Sequence, residues 1–124
     1  MGVPASQEFK AVAERLLDEL RVYELELGEL LKDPQDERLY RRNTTRFDAI
    51  RVCAASLPPV YICWVEVLIS RFELMEAFWR KAETKHTRGK LGPLADRHLA
   101  TLATLRQLCM AAYGLPSTPP EAES

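Results

Sequence analysis

The chain has 124 residues, 47% hydrophobic and 28% charged, with a formal net charge of −1 and an isoelectric point near 6.1. That is enough chain for one domain with a real core. The near-neutral balance excludes a global electrostatic pull toward nucleic acid or an anionic membrane, so any such attraction has to be local.

Residues Ser6 to about Lys32 read as a long helix. Phe9, Ala13, Leu16, Leu20, Tyr23, Leu27 and Leu30 step by four and three, the seam of a helical bundle. Ser6 is placed as an N-cap, with Glu8 in the first turn. Leu17, Leu25 and Leu31 widen the apolar face, so this helix expects more than one neighbour. Asp33-Pro34 ends it.

A second helix is expected over about 35–56, with Tyr40, Phe47, Ile50, Ala54 and Leu57 inside and Asn43 in the same register. Thr44 and Thr45 are mediocre helix formers, so a kink near Asn43 to Arg46 is weighed against a continuous rod. Leu57-Pro58-Pro59 then forces a corner.

The third helix, about 59–84, is the most apolar. Tyr61, Val65, Leu68, Phe72, Met75, Trp79 and Ala82 form one stripe, expected to be its core face, and Ile62, Ile69 and Phe78 with Cys63 and Trp64 broaden it. A rod this apolar has to be enclosed. Gly89, Gly92 and Pro93 mark a loop. A fourth helix over about 93–113 draws on Leu94, Leu99, Leu102, Leu105, Leu108, Cys109 and Ala112, with Gly114 as its C′ cap. These elements predict an all-α antiparallel four-helix bundle, one domain over 1–115, followed by a proline-rich acidic tail at 116–124 expected to be disordered.

Cys53, Cys63 and Cys109 are odd in number and widely spaced, which predicts buried free thiols. The opening MGVPASQEFK lacks the basic start and apolar run of a secretory leader. The longest apolar run, Val60 to Ile69, is broken by Glu66 and falls short of the about 20 residues a membrane span needs. A cytoplasmic protein with no membrane partner is expected.

Charge is uneven. Residues 6–37 hold ten acidic residues against four basic ones, whereas 38–51 set Arg38, Arg41, Arg42, Arg46 and Arg51 against Asp48. Arg38, Arg41, Arg42 and Arg46, with Lys85, Arg88 and Lys90 of the 80–97 segment, are the candidate nucleic-acid contacts. The competing expectation, and the favoured one, is that the acidic first helix and the basic second helix neutralise each other or are solvated.

Catalytic templates fall short. Glu83-x-x-His86 is one half of a di-iron helix motif without its second half. Glu26 with Glu29 and Glu73 with Glu76 are similar to the E-x-x-E of all-α nucleotide pyrophosphohydrolases, but no E-x-x-D follows. Phosphate loops, nucleophile elbows and H-E-x-x-H helices are absent from the sequence. The sequence therefore implies no cofactor and no metal.

In RKAETKH, Arg80 and His86 are separated by five residues, a spacing that resembles the R-x(4–6)-H signature of HEPN domains, four-helix modules that often cut RNA without a metal. Lys81 stands where that family usually carries a small polar residue. The resemblance implies His86 as general acid or base and Arg80 as the group that stabilises the phosphorane charge.

The favoured expectation is a non-enzymatic interaction protein (a regulator, adaptor, inhibitor or small assembly subunit) whose partner is another protein or a second copy of itself. Cys63-Trp64 and Phe78-Trp79 are the candidate interface residues, because both members of an adjacent pair cannot face one core, and Trp64 is the expected surface anchor. The alternatives are an accessory nucleic-acid binder and, behind it, a HEPN-like RNase.

Overall fold

A computed structural model describes residues 3–80 and 91–115; the expected tail at 116–124 and the 81–90 segment lie outside the described residues. The architecture is an all-α four-helix bundle: α1 Val3–Lys32, α2 Glu37–Ala54, α3 Tyr61–Arg80 and α4 Leu91–Tyr113. A single 3₁₀ turn, Pro58–Val60, leads into α3.

The helix ends follow local chemistry. After the Asp33-Pro34 break, the Asp36 carboxylate accepts hydrogen bonds from the backbone N–H of Arg38 (2.9 Å) and Leu39 (3.2 Å), capping α2. At the far end, Gly114 takes φ +66° and the Leu115 N–H returns to the Met110 carbonyl at 3.0 Å. This closes α4 with a Schellman motif, in the left-handed conformation that glycine adopts without strain. Two boundaries differ from expectation. α1 begins at Val3, so Ser6 lies inside it and is not its cap. α2 runs unbroken through Asn43 to Arg46, because Asn43 is held by a buried hydrogen bond.

α1 packs chiefly on α2 and α3 chiefly on α4, and α1 against α4 joins the two hairpins. The chain bends by 119° between α2 and the Pro58–Arg80 segment, so these two helices diverge and meet mainly through large side chains. Core positions repeat at three and four residues in each helix: Ala13, Leu16, Leu20, Tyr23, Leu27 and Leu30 in α1, and Leu91, Ala95, His98, Leu102, Leu105 and Cys109 in α4. The thiols of Cys53, Cys63 and Cys109 are free and buried. Burial pushes that of Cys109 up to about 11, with Cys53 adding to the effect.

α3 is rotated relative to expectation. Its inner face is Cys63, Trp64, Val67, Ser70, Arg71, Leu74, Ala77 and Phe78, and of the expected core stripe only Met75 is buried among the described residues. Tyr61, Val65, Leu68, Phe72 and Trp79 are exposed. Leu25 of α1, expected to widen the inner face, is also outside it at 68% exposure.

Truncation tests this register on α1. Leu20→Ala, at a position sealed from solvent, is expected to cost about 2–5 kcal/mol, whereas Leu25→Ala stays within about 0.5 kcal/mol. Urea unfolding of the two variants measures both, and equal losses would contradict the burial pattern.

Candidate docking surface and the buried polar network

α3 presents two unlike faces. Inward, it carries the polar centre of the molecule, to which all four helices contribute. Arg71 is only 8% exposed. Its guanidinium donates to the Tyr23 hydroxyl of α1 (2.8 Å), to Asn43 Oδ1 (2.7 Å) and to Thr44 Oγ1 (3.2 Å) of α2. It also lies 4.4 Å from the centre of the Phe47 ring, a cation–π distance. A buried cation is thus held by neutral acceptors and a π face, which offset part of its lost hydration.

The His98 ring joins the rest of the network. The Tyr23 hydroxyl that accepts from Arg71 lies 2.7 Å from His98 Nε2, and Ser70 Oγ lies 2.7 Å from Nδ1; in the neutral ring one nitrogen donates and the other accepts. Ser70 is within 3.0 Å of both the Val67 carbonyl and Thr101 Oγ1, and Thr101 donates to the His98 carbonyl at 2.7 Å. The result is a connected chain from Arg71 through Tyr23 and His98 to Ser70. Burial, and then the Arg71 charge, depress the His98 pKa to about 3, while burial pushes the Tyr23 hydroxyl up to about 12 against the pull of Arg71. Both are neutral at ordinary pH. Ser70 beside His98 looks like a nucleophile and its base, but the two residues are at most 1% exposed. No substrate reaches them in this fold.

Outward, α3 carries Tyr61, Ile62, Val65, Leu68, Ile69, Phe72 and Trp79, between 40% and 86% exposed. At 100° per residue they fall on one continuous arc along the helix. Glu76 intrudes on this arc and is paired with Arg80 at 3.5 Å. Beside it Glu73 faces Arg97 of α4 at 3.1 Å, close enough for an ion pair though not aligned for a hydrogen bond. Each end of the stripe borders a depression. At the Trp79 end, a hollow of about 330 Å³ is lined by Tyr40, Arg41 and the Pro34–Glu37 turn. At the Ile62 end, a hollow of about 420 Å³ is lined by Cys63, Glu66, Thr101 and Leu108. The Trp79 indole N–H donates to the Tyr40 hydroxyl at 3.0 Å, which ties the exposed ring to α2.

Of the expected interface residues, Trp79 is on the surface, 69% exposed, while Cys63, Trp64 and Phe78 are buried. Trp64 was the expected anchor; it faces inward because it stacks on Phe47, ring centres 5.2 Å apart, over the same ring that Arg71 covers. Reading the apolar stripe as the core face was the error, and the signal that could have corrected it is Arg71. Val60, Trp64, Val67, Arg71, Leu74 and Phe78 also step by four and three, and an arginine at a core register needs partners of the kind that Asn43 and His98 occupy in their own helices.

The basic residues divide. Arg42 reaches Glu29 (2.6 Å) and Glu26 (3.7 Å), and Arg46 reaches Glu19 (2.8 Å) and Glu26 (3.2 Å), so acidic α1 lies along basic α2. The bonds to Glu26 and then Glu19 raise the Arg46 pKa further. Arg38 and Arg41 are exposed. Lys85, His86, Arg88 and Lys90 lie outside the described residues, and Arg80 is engaged with Glu76. Among the described residues no group of His, Cys, Asp or Glu side chains is gathered as for a metal ion, and no single helix is long and apolar enough to cross a membrane.

The pH dependence of stability tests the network. His98 binds its proton near pH 6.5 when unfolded but only near pH 3 when folded. Stability is therefore intact above pH 6.5 and falls as the pH drops below it, by up to about 1.4 kcal/mol per pH unit. Urea midpoints between about pH 7 and 5 are expected to fall accordingly, and His98→Gln to flatten that profile whatever its stability at pH 7. An equally steep profile in the variant would show that His98 is not the group involved.

Comparison with protein-family models, with curated proteins and with solved structures finds no match to this chain.

Proposed function

We propose that this protein acts by contact and not by chemistry, as a helical-bundle interaction protein (a regulator, adaptor, inhibitor or small assembly subunit) whose working surface is the outer face of α3. The observation that carries this reading is the row of exposed apolar residues from Tyr61 to Phe72, with Trp79 on the same face beyond Glu76. Soluble monomers rarely expose contiguous apolar patches larger than a few hundred Å² unless they serve as contact sites. Two aromatic rings at one end and branched aliphatic groups at the other supply anchors of the kind that dominate binding energy. Of the other exposed apolar residues, Leu108 borders the Ile62 end of the stripe, while Phe9, Leu25 and Val52 lie on other helices, which is ordinary for a protein surface.

A nucleic-acid surface on α2 is less favoured. Arg42 and Arg46 are occupied by the glutamates of α1, and phosphate contacts would have to displace those pairs.

Affinity capture with tagged protein tests the reading. The wild type is expected to retain protein, its own untagged copies included, that Ile62→Glu/Phe72→Glu loses, while Arg38→Glu/Arg41→Glu retains it. Both apolar positions are well exposed, so the charges leave the fold intact, as circular dichroism and unfolding midpoints would verify. Capture of nucleic acid lost only in the arginine variant would replace this reading with the alternative.

A further inference from the structure

Resting on the reading of the stripe as a contact surface, we infer that its occupant is a second copy of this chain, with the two α3 helices running antiparallel.

The remainder of this chain is unsuited to cover the stripe. Residues 81–90, KAETKHTRGK, and 116–124, PSTPPEAES, contain no large apolar side chain to fill a face of leucines, isoleucines and aromatics. The size of the stripe fits a pair of equal partners. From their exposed fractions, its residues present at most about 800 Å² of accessible surface, mostly apolar, which is on the scale that each partner contributes to a standard stable interface.

Charge points the same way. Among the described residues, Glu76 within the stripe is matched by Arg80 on its own helix and Glu73 beside it by Arg97 on α4; Glu66 and Arg41 stand at the two ends, one charge of each sign. In an antiparallel pair the Glu66 end of one copy meets the Arg41 end of the other, so the surface is complementary to itself.

The spacing of the residues supports a helix-to-helix contact. Tyr61, Val65, Leu68, Phe72 and Trp79 follow the alternation of four and three that lets two helices interlock. α3 thus carries two such registers one residue apart: the inner one is filled by this chain, and the outer one is open except at Met75, which is buried. An isologous pair puts the same patch on both sides of a two-fold axis. With that axis near residue 70, Leu68 faces Phe72 of the second copy and Tyr61 faces its Trp79. The pairing sets an aliphatic group on an aromatic ring near the axis and two aromatic rings together at each end, and the helix dipoles oppose.

The full chain is tested by light scattering with sedimentation. The wild type is expected at twice the 14.1 kDa chain mass, and Ile62→Glu/Phe72→Glu at the single mass with unchanged helicity. Ile69→Cys, beside the axis, is expected to form a disulfide-linked dimer on mild oxidation, whereas Leu25→Cys, exposed on α1, does not. The native cysteines are buried and do not compete. A wild-type monomer at about 100 μM, a concentration at which an interface of this size should be occupied, overturns the inference, as does a dimer that the double variant leaves intact. A monomer that still captures a different protein through the stripe overturns the second copy alone. A monomer with no stripe-dependent capture removes the docking surface as well.

Discussion

The rotation of α3 about its own axis is fixed by the side chain of Arg71. Three donor contacts, to Tyr23 of α1 and to Asn43 and Thr44 of α2, require the guanidinium to point at the centre of the bundle. Turning α3 by one residue would bring Phe72 inward and leave those acceptors without their donor. Stranding buried polar groups costs about 1–3 kcal/mol each, and a buried arginine deprived of its partners costs more. Because Tyr23 is hydrogen-bonded to His98, and His98 to Ser70, the constraint reaches α4 and returns to α3. One network therefore sets the register of all four helices, and the exposure of the outer stripe follows from it.

Much of this fold could be read from the sequence. The four helices, the Asp33-Pro34 break, the double-proline corner and the Gly114 cap follow from strong local signals. The core face of α1 follows from an unbroken leucine seam. The orientation of α3 did not follow, for a physical reason: hydrophobic periodicity assumes that the more apolar side faces inward, and here the more apolar side faces out. Tyr61, Val65, Leu68, Phe72 and Trp79 outscore a face containing Ser70 and Arg71 on any transfer scale. Burial of the polar face becomes favourable only when the partners on the other three helices are known, which is information about pairing and not about composition. His98 belongs to the same class: it recurs with Leu91, Ala95, Leu102 and Leu105 at steps of three and four, yet the expected core face of α4 passed over it for Leu94, Leu99 and Leu108, and no local feature named Tyr23 and Ser70 as its partners.

The charge pattern has two consistent interpretations, and the geometry bears on two of the arginines. Acidic α1 and basic α2 form a hairpin, which brings Arg42 and Arg46 onto Glu19, Glu26 and Glu29. Glu26 is shared by two arginines, so these pairs form a small network, a better contributor to stability than isolated surface pairs. The side chains of Glu19 and Glu26 are only 15% and 13% exposed, so partial desolvation strengthens the attraction. Arg42 and Arg46 are thus part of what holds α2 on α1, while Arg38 and Arg41 stay exposed. Arg106 of α4 reaches Glu24 on another side of α1, so both neighbours of the acidic helix are tied to it in the same way.

The weakest closure in the bundle lies between α2 and α3, and it lies next to the outer stripe. There the helices diverge, and the contacts that cross are Phe47 on Trp64, Arg71 on Asn43 and Thr44, and the Trp79 indole on Tyr40. Trp79 belongs to both the closure and the stripe. An occupant seated on α3 would bury Trp79, shield its hydrogen bond to Tyr40 from water and so hold α3 against α2 on the side where the chain itself supplies least. Any molecule that binds only the folded arrangement stabilises it by mass action, by about 2.7 kcal/mol at a hundredfold excess over its dissociation constant. Contact at the surface and closure of the core are therefore coupled through one helix: its inner face fixes which residues are displayed, and covering those residues strengthens the seam that the inner face leaves loosest.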